Sequence, residues 1–153
     1  MHFRFLGGGK WVVIPIVILL VVAFRYRRWK LAPFFLALAI ETVIVHVLKH
    51  SFPQPRPGAM LQGVHLLIDL KKGSFPSGDT AMAFVIAFSM LRYERMWIKI
   101  AFVIYAVLIA YERIYVGVHF PLDVTAGAAI GIASAYVSYK ILKVRPQIGN
   151  VKK

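Results

Sequence analysis

The sequence predicts an all-α integral membrane bundle of about five transmembrane helices plus one short interfacial helix. Three observations predict it: hydrophobic residues make up 59% of the 153, the mean hydropathy is +0.70, and the apolar residues gather into long runs broken by charged or Pro/Gly-rich segments. A soluble domain of this length carries fewer apolar residues. The formal net charge of +13, from 19 Lys and Arg against 6 Asp and Glu, raises nucleic acid as a partner. The cations punctuate apolar runs and form no solvated patch or arm, which argues against that partner. With no cysteine there is no disulfide framework and no thiolate chemistry. Five histidines are the side chains that titrate near neutrality.

The apolar runs are 11–24, 31–48, 75–91, 96–111 and 122–142. The first and fourth are shorter than the roughly 20 residues a bilayer core requires, so either their ends extend into polar flanks or the bilayer thins around them. Arg4 and Lys10 ahead of the first run resemble a signal-peptide start. No small-x-small cleavage site follows, and the next segment, FRYRRWK, is a stop-transfer flank, so the run reads as an anchor. Between the second and third runs, MLQGVHLLIDL (60–70) sets Gln62, His65 and Asp69 on one helical arc and Met60, Leu61, Val64, Leu67 and Ile68 on the other. That pattern fits an interfacial helix lying on the membrane, and equally an ordinary packed loop helix.

Orientation follows from Lys and Arg. One side carries Arg25, Arg27, Arg28 and Lys30, then Arg92, Arg95 and Lys99, then Lys140, Lys143, Arg145, Lys152 and Lys153, twelve in all. The other has seven: Arg4, Lys10, Lys49, Arg56, Lys71, Lys72 and Arg113. The richer side is expected in the cytoplasm. There is no internal repeat or low-complexity segment, and 1–153 reads as a single domain with its motif-bearing core at 49–123.

The strong polar signals share the outer side. Lys49 to Pro57, KHSFPQPRP, sets two cations on chain stiffened by prolines 53, 55 and 57, which lowers the entropy of holding Arg56 in place. Phosphate recognition uses that pairing, the planar fork of Arg with the point charge of Lys; a basic flank touching headgroups is the plainer reading. FPSGDT (75–80) places Pro76 for a first helical turn, Ser77 for a cap and Gly78 for close approach of a ligand. Free amides at such a start, with the helix dipole, hold an anion, although a Pro-Ser-Gly start alone is more often only a cap. ERIYVGVHFPLD (112–123) places Pro121 at a helix start, His119 just outside and Asp123 in the first turn. That spacing lets the carboxylate reach one imidazole nitrogen, fix the tautomer and raise the basicity of the other. Such a histidine is a nucleophile or base candidate, while a lone His-x-x-x-Asp is usually structural.

Together the three segments resemble the type 2 phosphatidic acid phosphatase family of membrane lipid phosphatases, whose motifs run K-x6-R-P, P-S-G-H and S-R-x5-H-x3-D. Lys49 is followed by six residues and Arg56-Pro57; Pro76-Ser77-Gly78 opens the second motif; Arg113, His119 and Asp123 complete the third. The resemblance implies that His119 attacks phosphorus to form a phosphohistidine, that Asp123 orients it, and that Lys49, Arg56 and Arg113, with Ser77 and the Gly78 amide, hold the nonbridging oxygens. It also implies no cofactor and no metal, three cations and helix-start amides supplying the charge stabilisation phosphoryl transfer requires. The partners it implies are a lipid phosphate substrate and membrane lipids. The implied location is a bacterial inner (cytoplasmic) membrane, multi-pass, with the site facing the periplasm or exterior. An interfacial 60–70 would help a headgroup slide sideways into the site.

Two positions depart from the family pattern. Glu112 stands where the family has Ser, and Asp79 where it has the His that protonates the leaving oxygen. An ordinary Asp is ionised at neutral pH and donates no proton. Three readings of Asp79 stand: it is held protonated by burial, against the pull of Lys49, Arg56 and Arg113; the leaving group needs little protonation, as for a sugar 1-phosphate or a diphosphate; or the chain is an inactive relative that only binds lipid phosphates. The intact His119 and Asp123 favour the second. Among substrates, the resemblance and this argument rank lipid A 1-phosphate first, then polyprenyl diphosphate, then phosphatidylglycerol phosphate or phosphatidic acid. A vanadate-dependent oxidase, a distant relation of the family, is disfavoured because its members are soluble. Glu41 reads as a neutral or hydrogen-bonded packing group, His46 and His50 as interface groups with no third metal ligand, and the small residues of 125–134 as a close helix-packing face.

Overall fold

The structure, a computed structural model, describes residues 31–60, 73–91 and 95–142. The predicted anchor at 11–24 and, apart from Met60, the interfacial segment 60–70 lie outside the described residues. Five helices follow in order: α1 (Ala32–Ser51), α2 (Pro57–Met60), α3 (Gly78–Met90), α4 (Met96–Tyr115) and α5 (Pro121–Ile141). No strand occurs among the described residues. The chain is an all-α membrane bundle.

α1 has 20 residues at a mean hydropathy of 1.7, long and apolar enough to cross a bilayer. α3 has only 13 residues, about 20 Å of helix, and is buried on most of its surface through Thr80, Ala81, Ala83, Val85, Ile86, Ala87, Ser89 and Met90. A helix apolar all round belongs at the centre, and α3 touches α1, α4 and α5. Phe34 and Ala37 of α1, Val85, Ile86 and Met90 of α3, and Ala135 and Tyr139 of α5 form the main core. Ala83, Ala87 and Ala106 join α3 to α4. The outer face of α4 exposes Trp97, Ile100, Ile104, Val107 and Leu108, a surface that lipid rather than water accommodates.

Small residues set the closest approach, as expected of 125–134. A Cβ on Gly127 would lie 2.4 Å from the Ser77 carbonyl oxygen, and one on Gly131 would lie 2.2 Å from that of Ala81. Only glycine permits α5 to meet α3 at that distance. Because α1 and α4 end where α3 and α5 begin, four helix termini converge on one face. Gly73 and Gly117 take positive φ, 76° and 70°, turning the chain back at that face where a Cβ would be strained.

One boundary differs from the sequence reading: α3 starts at Gly78, so Pro76 stands ahead of the helix rather than in its first turn. The fourth run extends into its polar flank as expected, α4 continuing past residue 111 to Tyr115, where Glu112 and Arg113 pair with one another.

Candidate active site

Each helix terminus delivers one part of the site. The last turn of α1 presents Lys49, whose Nζ donates to the Gly73 carbonyl at 2.8 Å. Arg56, in the loop before α2, donates from Nη2 to the same carbonyl and from Nη1 to that of Val118, both at 3.4 Å. Two cations are thus gathered on two backbone carbonyls, beside His119. Burial pushes the Arg56 guanidinium below its ordinary range, with Asp79 opposing.

The loop 116–120 carries His119, which is 4% exposed. Its main-chain N–H donates to the Arg113 carbonyl at 3.3 Å. The imidazole Nδ1 faces Asp123 Oδ2 at 3.7 Å, beyond hydrogen-bond range. Burial first, then the charges of Arg56 and Lys49, push the imidazole from 6.5 down to about 4, with Asp123 and the Ser74 main chain opposing. The sequence reading gave Asp123 the larger voice; here burial and the cations win. The ring is therefore neutral at pH 7, the form a nucleophile requires, and with Nδ1 facing Asp123 it is Nε2 that such a role would use.

Asp123 sits in the first turn of α5, fully buried. Its Oδ2 accepts the Phe120 N–H at 2.8 Å and the Ser74 hydroxyl. The Ser77 N–H in turn donates to the Asp123 carbonyl at 3.0 Å, tying the start of α3 to the start of α5. Ser77 occupies the N-cap position of α3, but its hydroxyl hydrogen-bonds Thr80 Oγ1 at 2.9 Å instead of a backbone amide. Gly78 follows, where an added Cβ would meet Val45 Cγ1 of α1 at 3.4 Å.

Arg113, buried near the end of α4 with a side chain 8% exposed, completes the group. Its Nη1 pairs with Asp79 Oδ2 at 3.0 Å, while Nε and Nη2 both meet Glu112 Oε2. The structure therefore brings Lys49, Arg56, Ser77, Gly78, Asp79, Arg113, His119 and Asp123 to one face of the bundle. Ser74, Thr80 and the Gly73 carbonyl also hold the site, and the sequence reading missed them. Ser74 carries no signal of its own, lying outside any periodic run, and only the fold reveals that it faces a residue 49 positions later.

Glu41 is buried in α1 and accepts the Thr42 hydroxyl at 3.3 Å, in line with a packing role. The His46 and His50 rings lie 4.3 Å apart, and His50 Nδ1 donates to the His46 carbonyl at 2.9 Å. Among the described residues no group of three or more His, Cys, Asp or Glu is placed to hold a metal ion.

The comparisons span the segments that carry these residues. A family model described as the PAP2 superfamily matches residues 30–147. A crystal structure of Aquifex aeolicus LpxE superposes with a TM-score of 0.79 at 51% identity, covering 91% of this chain and 82% of that one. A crystal structure of a transmembrane PAP2 type phosphatidylglycerolphosphate phosphatase from Bacillus subtilis gives 0.72 at 26% identity, covering 93% and 74%. The undecaprenyl-diphosphatase of Sulfolobus acidocaldarius is 33% identical over 140 residues, 91% of this chain and 68% of that protein. A match over most of the chain, carrying all three motifs on one face, shows that this chain belongs to the PAP2 superfamily of membrane lipid phosphatases.

Proposed function

We propose that the protein hydrolyses a lipid phosphate at the outer face of a bacterial inner membrane, with 1–153 acting as one transmembrane domain. The observation that carries this reading is His119, buried, neutral and facing Asp123, beside Lys49 and Arg56. His119 Nε2 attacks phosphorus, the bond to the lipid oxygen breaks, and that oxygen takes a proton from solvent. Water then attacks the phosphohistidine, the P–N bond breaks, and inorganic phosphate leaves with the neutral imidazole restored. Lys49, Arg56 and Arg113 hold the nonbridging oxygens, and the amides at the start of α3 add the positive end of the helix dipole.

Lipid A 1-phosphate is the favoured substrate. Its hemiacetal leaving oxygen is more acidic than an alkyl alcohol and needs less proton donation, which matches an acid paired with Arg113 at position 79. The similarity to Aquifex aeolicus LpxE supports it. Polyprenyl diphosphate is the second reading, favoured by the undecaprenyl-diphosphatase from Sulfolobus acidocaldarius.

The test is phosphate release by purified protein from a panel of lipid A 1-phosphate, undecaprenyl diphosphate, phosphatidylglycerol phosphate and phosphatidic acid, with His119→Ala as control. Release from the first, lost in His119→Ala and unchanged by a chelator, is expected. No release from any member would leave a lipid-phosphate binder, and loss of activity to the chelator would overturn the metal-free mechanism.

A further inference from the structure

The two positions where this chain departs from the family pattern, 79 and 112, are far apart in sequence yet meet on one side chain. Arg113 Nη1 pairs with Asp79 Oδ2 at 3.0 Å, and Nε and Nη2 fork onto Glu112 Oε2. The guanidinium is 8% exposed, and Asp79 and Glu112 are 32% and 20% exposed. An Arg fixed by carboxylates on two sides is held in one plane, because each charge-assisted contact constrains a different edge of the rigid fork.

We infer that Asp79 and Glu112 are a single exchange: together they clamp Arg113, and Asp79 acts as a positioning residue rather than as the acid of the leaving group. The inference rests on the phosphatase reading and deepens it. In the family pattern a neutral Ser beside the Arg and a proton-donating His at position 79 divide two tasks. Here both side chains serve the Arg, and the proton on the leaving oxygen comes from solvent, to which Asp79 is partly open. Two carboxylates beside a phosphate site would repel an anion if they were unengaged. Bound to Arg113, they are screened from the phosphate by the charge they orient. A positioned Arg is worth most in the transition state, where the transferring group spreads its charge over its equatorial oxygens. Glu112 is the unexpected part of the arrangement, since it sits beside Arg113 in sequence and would pass for a solvated flank.

The test uses the full-length protein in detergent with lipid A 1-phosphate, after wild type has released phosphate and His119→Ala has not. Failure at that first step is failure of the phosphatase reading, and only the comparison of clamp variants bears on the clamp. Asp79→Asn and Glu112→Gln keep shape and remove charge; each is expected to lower kcat/KM about tenfold, mainly through kcat, with the pH profile of kcat unchanged in form. In an Arg113→Lys background, which lacks the fork, the same two substitutions are expected to cost less than about twofold, because residues that act through one partner are not additive. If Arg113→Lys turns over too slowly to measure, the same cycle is read from orthovanadate affinity by calorimetry. Loss of a basic limb in kcat on Asp79→Asn would make Asp79 the acid and overturn the inference. Full additivity of Asp79→Asn or Glu112→Gln with Arg113→Lys would overturn it equally.

Discussion

At the scale of single residues, the proposed chemistry turns on how His119 is kept neutral. Its folded-state value near 4 lies below the ordinary 6.5, so between those limits the unfolded chain binds a proton that the folded chain does not. This group therefore makes folding stability fall as pH drops from about 6.5 toward about 4, and contributes nothing further to the pH dependence above that window. Titration of His119 by NMR is expected to show a midpoint near 4; a midpoint near 6.5 would mean that burial and the two cations do not set its state. Asp123 is held by Ser74 and by the Phe120 amide, so it faces the imidazole from a fixed position, as the proposed orienting role requires. Asp123→Asn is expected to lower kcat/KM by up to about 10⁴-fold, the loss when an orienting acid becomes an amide. Ser74→Ala, which leaves the Phe120 contact, is expected to cost about tenfold, since one hydrogen bond to a charged group is worth about 1.5–3 kcal/mol. Equal losses for the two substitutions would show that Ser74 carries the orientation alone.

At the scale of elements, the contact between α3 and α5 places the start of one helix against the start of the other. Gly127 lies beneath the Ser77 carbonyl and Gly131 beneath that of Ala81, one turn apart on α5. Their substitutions therefore separate two effects. Gly131→Ala forces the helices apart below the site, and is expected to lower the melting temperature in detergent by overpacking, about 1–3 kcal/mol, with the larger share of activity retained in the folded fraction. Gly127→Ala displaces Ser77, which donates its N–H to the Asp123 carbonyl, and is expected to lower kcat in the folded fraction as well. Equal kcat in the two folded variants would mean that the spacing at Ser77 is not transmitted to Asp123.

At the scale of the molecule, the bundle puts every motif residue at one end and lipid-facing side chains around the rest. The Lys and Arg asymmetry predicts which end faces outward, and the chain has no cysteine to complicate a test. Gln54→Cys, in the exposed loop at the site end, is expected to react with a membrane-impermeant maleimide in intact cells, and Lys140→Cys, exposed at the far end of α5, only after lysis. The reverse pattern would place the site in the cytoplasm and remove an exterior headgroup as the substrate.

Composition and the runs of apolar residues determined the class of this protein, and the motif spacings, through the family they resemble, named its candidate site. Apolar runs long enough to span lipid must form helices, since no other open structure satisfies its backbone there. Lys49, Arg56, Arg113, His119 and Asp123 stand at spacings that survive any reading of the helices between them. Helix ends were less legible: Pro76 looked like a first-turn residue, and only the fold showed α3 beginning at Gly78. Tertiary structure alone decided that Ser74 holds Asp123 and that Glu112 and Asp79 share Arg113. The Ser74 and Asp79 contacts join segments 49 and 34 residues apart, and no local pattern encodes which buried charge will find which partner. The sequence could mark Asp79 as an acid out of place; the packing of α3 against α4 showed what it faces.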